Sequence, residues 1–425
     1  MSSNTEGIIT RAVESDDELR LANDLMAKIH YADYFKGIEW LETCGVGYPH
    51  FLREHTRIAL RNGELAGALR LITETIRLGE ARLKMGGFGW VTTAPRHRYR
   101  GVANALMQDT IEYMKHHGYH VSMLFGIPNF YHRFGFITTL ADYTIMVSAA
   151  EGLAAGDSPF RTRPAKPGDI SAIQKMHNAN DGGVACSILR SAAHITNKWQ
   201  DWCKHLLVLT TAQGKVVAYL HAHPTKDAAM MTEVGVVGNG AARSAAIAPG
   251  APSADPAICR AVLRAAAERA RQQSLGVLRF HVPPPHPFGR FLLQYASTHE
   301  MRIERDCGGM MAFIDLAETL ESMIPEWENC LAQSAARDSR VECTLVVDRK
   351  PYRVRANRGA IDVAAGSGKN KLGLTSAELM HLLTGYRHLD DIYCARRRII
   401  TPEARALLPV LFPKRHTYVW HFDRF

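Results

Sequence analysis

Apolar residues recur at intervals of three and four along some stretches of the chain and form short runs or alternate with polar residues along others. The first spacing predicts helices over residues 17–29, 101–116, 170–178, 255–273, 376–383 and 402–411. Two strand-like runs meet at Asn62-Gly63, which predicts a tight hairpin, and residues 81–95, 120–127 and 142–147 predict further strands. We therefore predict a mixed α/β fold over the first 150 residues.

The same order of patterns begins again after residues 151–169, which are rich in Gly, Pro and Ala and predict a linker. The long helix predicted at 255–273 has no cationic glycine loop before it, so a second copy of the first domain would lack a phosphate site. A hairpin at 341–356 and two helices follow an amphipathic helix in the last part of the chain. We predict three domains, over residues 1–150, 160–315 and 316–425.

Composition narrows the class of protein. The formal net charge of +9 favours anionic partners and argues against a cationic substrate unless a local acidic pocket overrides it. The 8 cysteines form no CxxC pair, the first residues lack a signal-peptide pattern, and no apolar run approaches the roughly 18 residues of a membrane span. These features predict a cytoplasmic, reduced protein without a membrane span.

The strongest local motif is the cationic loop Arg96–Arg100, which follows a strand and opens a helix at Gly101. A helix N-terminus offers unpaired N–H groups to phosphate, and glycine allows close approach. A nucleic-acid patch would require interleaved aromatics or a basic helix face, but this helix carries no basic residue before Lys115. Between a solvated loop and a pyrophosphate site, the order of strand, glycine and helix favours pyrophosphate.

The segment VTTAPRHRYRGVANALM resembles the acetyl-CoA-binding motif of GNAT acetyltransferases, with Arg98-x-x-Gly101-x-Ala103 as the matching residues. Downstream, HVSMLFGIPNFYHRFGF is similar to the next element of that family, a strand followed by a short helix that bears a tyrosine. The three-part organisation resembles the Eis-like branch. That resemblance implies tandem GNAT-type mixed sheets with flanking helices, a C-terminal sterol-carrier-like α/β domain, acetyl-CoA as co-substrate and a homo-oligomer, often a hexamer.

The resemblance also implies roles for particular residues. Tyr131 would protonate the departing thiolate, and the terminal carboxylate of Phe425, if desolvated, would accept the proton of the amine. The splayed strand would present its backbone to the pantetheine arm. The residues expected to bind acetyl-CoA are Trp90, Val91, Thr92, Thr93, Arg96, Arg98, Tyr99, Arg100, Gly101, Val102, Ala103 and Asn104.

The expected acceptor pocket combines aromatic walls with carboxylates, which suits a polyamine such as an aminoglycoside. Members of the branch can carry an acid beside the terminal residue where this chain has Arg424, so the charge preference of the pocket stays open. The residues expected to bind the amine substrate are Asp33, Phe35, Glu39, Trp40 and Asp423.

Two other functions remain open: a protein or peptide lysine acetyltransferase, and a non-catalytic sensor of acetyl-CoA or of an apolar ligand. No metal is expected, because His221 and His223 have no third ligand nearby in sequence. Val363 stands where a Walker A loop requires glycine, which excludes that reading of GSGK. Nothing visibly activates Cys44, so direct transfer is preferred over a covalent route. The run Arg396–Arg398 is interpreted as a solvated face, and no nucleic-acid partner is expected.

Overall fold

The computed structural model describes residues 7–238, 254–393 and 401–425, so Arg396–Arg398 lie outside the described residues. Over residues 7–148 the helices and strands are β1 (Ile8–Ala12), α1 (Asp16–His30), α2 (Tyr34–Trp40), β2 (Thr56–Arg61), β3 (Glu64–Leu78), β4 (Ala81–Thr93), α3 (Val102–His116), β5 (Val121–Gly126), β6 (Ile137–Thr138) and β7 (Asp142–Ser148). Ser15 caps α1 by accepting from the Glu18 N–H. Asn62 and Gly63 both have positive φ, which confirms the predicted hairpin between β2 and β3.

Over residues 149–313 the elements are α4 (Ala149–Ala154), β8 (Arg161–Pro164), α5 (Ile170–Asn180), β9 (Val184–Ala185), α6 (Ala192–Asn197), α7 (Trp199–Trp202), β10 (Leu206–Thr210), β11 (Val216–Pro224), β12 (Ala229–Val236), α8 (Pro256–Gln272), β13 (Val277–Phe280), α9 (Pro287–Phe291), β14 (Ser297–Arg302) and β15 (Gly308–Phe313). The prediction of a linker over 151–169 is wrong for much of that stretch. Gly152 lets α4 pack closely on Ala267 of α8, and β8 pairs with β10 at a sheet edge.

The remaining elements are α10 (Leu316–Ser322), α11 (Ile324–Ala332), β16 (Arg340–Val347), β17 (Lys350–Asn357), β18 (Ala360–Ala365), β19 (Lys371–Leu374), α12 (Ser376–Leu383), α13 (Leu389–Tyr393), α14 (Pro402–Leu411) and β20 (His416–Thr417). β16–β19 form one small sheet in the order β18-β17-β16-β19, and buried residues of α11, α12 and α14 share an apolar core with it. The strand β20 pairs with β9, far back in the chain.

Two larger sheets repeat a similar plan. The first has the order β1-β2-β3-β4-β5-β15-β6, and the second β14-β7-β13-β12-β11-β10-β8. In each, an antiparallel meander is followed by a long helix, α3 or α8, and then by a strand parallel to the last strand of the meander. The mixed α/β prediction is therefore confirmed. The residue before α3 is a glycine, whereas the residue before α8 is Asp255, whose side chain accepts from the Ala257 N–H. A carboxylate at this helix N-terminus disfavours phosphate binding.

The two sheets exchange one strand each. β7 pairs with β13 and β14 of the second sheet, and β15 pairs with β5 and β6 of the first. Sheet membership thus crosses the limits predicted at residues 150 and 315, and the division into three domains stays a prediction. In the described part of the chain, no helix is both long and apolar enough to cross a membrane.

Candidate active site

The predicted arginine loop lies between the end of β4 and the start of α3. Gly101 precedes α3 with a left-handed φ of 82°, a conformation that glycine adopts without strain. The first turn of α3 has no acidic residue and no side-chain cap, so its N–H groups remain available to an anion. A cavity of about 840 Å³ lies over this N-terminus.

The structure brings most of the expected acetyl-CoA residues to that cavity. Thr93 and every residue from Arg98 to Asn104 line it. Arg96 does not, because its guanidinium turns to Glu64 at 3.2 Å. The lining residues that sequence reasoning missed are Arg61, His97, Ile127, Phe130 and Arg133. Arg133, within the RFGF match, stacks 4.8 Å over the ring of Phe130. Four arginines and a free helix N-terminus fit a diphosphate group.

Strands β4 and β5 separate beside this cavity. Their parallel pairing ends at Gly87 and Met123, although β4 continues to Thr93. The register between β3 and β4 shifts at this point, and Trp90 has a φ of 50°, so a bulge distorts β4 just beyond the last pair. The edge of β4 that includes Trp90, Val91, Thr92 and Thr93 is therefore unpaired toward β5, as expected for a strand that presents its backbone to a ligand.

Tyr131 lies on the short 3₁₀ turn Tyr131–Phe134 that follows β5. Its ring packs where a Cβ on Gly126 would stand, and it shares an apolar cluster with Leu124 and with the buried face of α3. Only 8% of the residue is exposed, and burial raises the pKa of its hydroxyl to about 12. No described residue forms a hydrogen bond with that hydroxyl. Tyr131 is thus a protonated, unengaged donor on the α3 face of the sheet.

Phe425 reaches the same opening from the other face. Its ring packs directly on Gly87, which leaves no room for a Cβ, and lies edge-on to Phe125 with the ring centroids 6.0 Å apart. The neighbouring Gly86 faces Met114 of α3, and successive strand residues point to opposite faces. The two expected catalytic residues therefore flank the gap between β4 and β5 from opposite sides.

The expected acceptor residues divide into two groups. Trp40 packs against Trp90 with ring centroids 5.1 Å apart, so α2 lies beside the distorted part of β4. Asp33 caps α2 by accepting from the Lys36 N–H, which together with the Lys36 ammonium lowers the pKa of the Asp33 carboxyl. Phe35 is 79% exposed and Glu39 also faces outward. Trp40 is thus at the opening, whereas Phe35 and Glu39 lie on the outer surface of α2 and Asp33 lies exposed at its N-terminal cap.

Asp423 differs from the expectation of an acid that awaits an amine. It is 2% exposed, and both of its carboxylate oxygens accept from Arg190, at 2.7 and 2.9 Å. Arg190 also holds Glu233, and His194 stands between Asp423 at 3.2 Å and Glu74 at 2.9 Å. Burial alone would raise the pKa of Asp423, but Arg190 outweighs burial and holds it well below its usual range. This carboxylate is committed to the buried ion cluster.

Arg424 also has an internal partner. It forms a close ion pair with Asp142 and lies 4.8 Å over the ring of Phe125. A small cavity of about 240 Å³ borders Phe125, Asp142 and Arg424. Because Asp142 neutralises it, Arg424 adds little net positive charge beside Phe425.

A third histidine lies near His221 and His223, for which no third ligand was expected from the sequence. The His205 ring lies 4.9 Å from that of His223 and 5.9 Å from that of His221. Even so, among the residues in the described ranges no group of three or more His, Cys, Asp or Glu side chains is arranged to hold a metal ion.

Residues 48–138 match the family described as an acetyltransferase (GNAT) domain. No curated protein matches the chain significantly in sequence. The chain is similar in structure to a GCN5-related N-acetyltransferase from Anabaena variabilis (14% identity, TM-score 0.72) and to one from Kribbella flavida (17% identity, TM-score 0.71). It is also similar to Eis1 from Mycobacterium abscessus (14% identity, TM-score 0.63). Each comparison covers 98% of this chain and 100% of the other, and at these identities it shows a shared fold.

The matched range begins before β2 and ends in β6, so it includes the arginine loop, the strand opening and Tyr131. Domains of this family use acetyl-CoA, and the cationic cavity fits its diphosphate. The expectation of an acetyltransferase enzyme is confirmed at this level, since residues 48–138 match a GNAT acetyltransferase domain.

Proposed function

We propose that this protein transfers an acetyl group from acetyl-CoA directly to an amine of a small polycationic molecule, with aminoglycosides as the substrate class. One observation carries the proposal. A buried, protonated tyrosine and the last residue of the chain flank the same strand opening from opposite faces, and the cationic cavity lies at the mouth of that opening. A thiolate leaving on one face and an amine arriving on the other would each meet one proton-transfer group.

The cofactor would be held in two parts. Arg98, Arg100 and Arg133, with the N-terminus of α3, would bind the diphosphate. The unpaired backbone edge of β4 beyond Gly87 would hold the pantetheine arm and hydrogen-bond the acetyl oxygen. Acetyl-CoA supplies the thioester-activated acetyl group, and the chain's own residues position it.

Tyr131 would supply a proton from its Oη to the leaving sulfur. Burial raises the pKa of this hydroxyl to about 12, so it carries its proton at neutral pH and is present as a donor. The carboxylate of Phe425 would accept a proton from the amine on the opposite face. Trp40 and Trp90 lie beside the opening. The exposed carboxylates of Asp33, which caps α2, and of Glu39 on α2 would attract a cation toward it despite the net charge of +9.

We further propose that the chain belongs to the Eis-like branch. Similarity to Eis1 over 98% of the chain supports this, as does the ordered path of the last residues to the opening. The same proposal makes residues 316–425 a sterol-carrier-like domain and the assembly a hexamer, which native mass spectrometry of the purified protein would test.

The direct experiment measures release of free thiol from acetyl-CoA with aminoglycosides, simple polyamines and lysine peptides as acceptors. We expect multiple turnovers with aminoglycosides. Tyr131→Phe should lose most of the turnover and retain acetyl-CoA binding, since it removes only the donor. Residues appended after Phe425 should abolish turnover, because they convert its carboxylate to an amide.

The control for the appended chain is Phe425→Ala, which keeps a terminal carboxylate and loses the ring. Turnover confined to lysine peptides would reassign the acceptor to proteins. Full activity of both Tyr131→Phe and the extended chain would refute the proposed proton-transfer roles.

A further inference from the structure

A second cavity, of about 600 Å³, lies at the opposite end of the β3–β4 hairpin from the strand opening. The turn of that hairpin forms one side, and the loop before α9, helix α11 and the chain after α14 form the others. We propose that this junction cavity binds a small alkyl carboxylate, a molecule with one anionic end and an aliphatic body. The volume falls in the range of ordinary small-molecule sites, roughly 300–1,000 Å³.

The charge of the lining points to an anion. Five cationic side chains contribute to it, namely Arg77, Arg82, Arg290, Lys414 and Arg415, against the two carboxylates of Glu80 and Glu326. Glu326 is 3% exposed and already engaged, since it accepts from the Glu80 N–H at 2.6 Å and forms a close ion pair with Arg415. Even without Arg290, the four other cations outnumber these two carboxylates, so the cavity keeps an excess of positive charge that its own acids do not neutralise.

Arg77 is the cation best placed to bind the carboxylate. It is 8% exposed, and among the described residues no carboxylate lies within 4.0 Å of its guanidinium. Its Nη1 donates to the Asn178 carbonyl at 2.8 Å, Nε has no partner, and no described residue bonds Nη2. A buried guanidinium without an anion is costly, and a carboxylate at Nη2 would offset that cost.

The rest of the wall is aliphatic. Pro284, Pro285, Pro409, Val410 and Pro413 border the cavity, and the prolines have no N–H to offer a polar ligand. Among the described residues of the lining, His416 is the one aromatic ring, so the site lacks the stacked faces that an aryl ligand prefers. Contact with alkyl carbons suits these walls better.

The junction cavity is separate from the acetyl-transfer site. Arg82 and Thr93 lie at opposite ends of β4, about 36 Å apart along an extended strand. A ligand here would leave the acetyl-CoA cavity free, so its binding is independent of the proposed function and can be measured with acetyl-CoA present.

The test is calorimetric titration of the full chain with octanoate, with acetate and octylamine as matched probes, in the presence of saturating acetyl-CoA. We expect octanoate to bind one site per chain, and acetate and octylamine to bind at least 10-fold more weakly, because each lacks one of the two required features. Arg77→Gln, which keeps a donor for Asn178, should weaken octanoate binding at least 10-fold.

Lys414→Glu provides a second variant at an exposed position, where misfolding is not expected, and should also weaken octanoate binding. Arg337→Gln, an exposed arginine paired with Asp338 outside the cavity, is the control and should bind as the parent does. Absence of octanoate binding, equal binding of acetate, or unchanged affinity in both cavity variants would overturn the proposal. The proposal would also fail if Lys414→Glu changed the oligomeric mass of the protein without changing its affinity for octanoate. That result would indicate that a second copy of the chain occupies the cavity.

Discussion

At the scale of single residues, the packing of Phe425 beside the β4–β5 opening depends on a glycine, because a side chain there would displace the ring. Gly87 and Gly89 point to the same face of β4, but only Gly87 carries the ring of Phe425 directly on it. A Cβ at Gly89 would meet nothing closer than the Arg70 carbonyl at 3.5 Å, an ordinary contact. Neither glycine has a positive φ, so alanine is allowed by the backbone at both positions. Comparing alanine at Gly87 with alanine at Gly89 therefore distinguishes the space that the Phe425 ring needs from any effect on the backbone of β4.

We predict that Gly87→Ala displaces the Phe425 ring and lowers kcat/KM for the amine acceptor by about 10²-fold, because catalytic groups tolerate little misplacement. The affinity for acetyl-CoA, measured by calorimetry, should change little, since the cationic cavity is untouched. Gly89→Ala is the matched control and should retain most activity. Equal activity of the two variants would show that the position of Phe425 does not matter for turnover.

At the scale of elements, the arginine loop and the first residues of α3 line one cavity, which we propose binds the diphosphate of acetyl-CoA. Three arginines alternate in sequence over residues 96–100, but the turn after β4 divides them. Arg98 and Arg100 line the cavity, whereas Arg96 pairs with Glu64 on β3. The three arginines look equivalent in the sequence, but in the structure they have different surroundings.

Arg100→Ala is expected to raise the Kd of acetyl-CoA by about 10- to 100-fold, the range for loss of one charge-assisted hydrogen bond. The kcat at saturating acetyl-CoA should be nearly unchanged, because the diphosphate is remote from the reacting bond. Arg96→Ala removes the same charge from the same loop and should shift the Kd by only a few-fold. A comparable loss in both variants would mean that only net charge matters.

Local patterns predicted the elements well, and pairing at long range explains what they missed. The predicted ranges of α12 and α14 match those observed, because each helix has a Thr cap and an apolar stripe of its own. The strand exchange could not be predicted, since alternation identifies a strand and does not identify its partner. Arg61 and Arg133 reach the cationic cavity from other parts of the chain, a strand and a turn, and could not be predicted for the same reason.

The linker error has a similar origin. Residues 151–169 have the composition of a loop, but small residues also allow close helix packing, which α4 achieves against α8. Asp423 shows why the site could not be predicted in full. The sequence places an acid near the last residue, but its partner Arg190 lies 233 positions earlier in the chain. Only the fold reveals that this charge is already used.

At the scale of the whole molecule, the last ten residues join parts of the chain that are far apart. β20 pairs with β9, the Trp420 Nε1 donates to Asp181, Arg190 clamps Asp423, and Phe425 ends on the first sheet. The central ion cluster places Arg190 between Glu233 and Asp423, both fully buried. Asp423 stands two residues before Phe425, so this cluster anchors the chain close to the expected base.

The cluster predicts a specific response to acid. Burial alone would raise the pKa of Glu233, but Arg190 and His177 outweigh burial and hold it at about 2, below its ordinary value of 4.5. Because the pKa is depressed in the folded state, the stabilisation is present above pH 4.5 and is lost as the pH falls toward 2. Asp423, whose pKa is also depressed, contributes in the same direction.

Thermal midpoints measured by circular dichroism should therefore fall steeply below about pH 4.5. Glu233→Gln should unfold more easily at neutral pH, by about 3 kcal/mol, because it leaves part of a buried charge unpaired. It should also show a shallower fall in acid, since one of the titrating groups is gone. Glu112→Gln removes an exposed carboxylate paired with Lys115 and should leave the thermal midpoint and its acid dependence nearly unchanged. If Glu233→Gln kept the same acid slope as the parent chain, protonation of Glu233 would not be a cause of the loss of stability in acid.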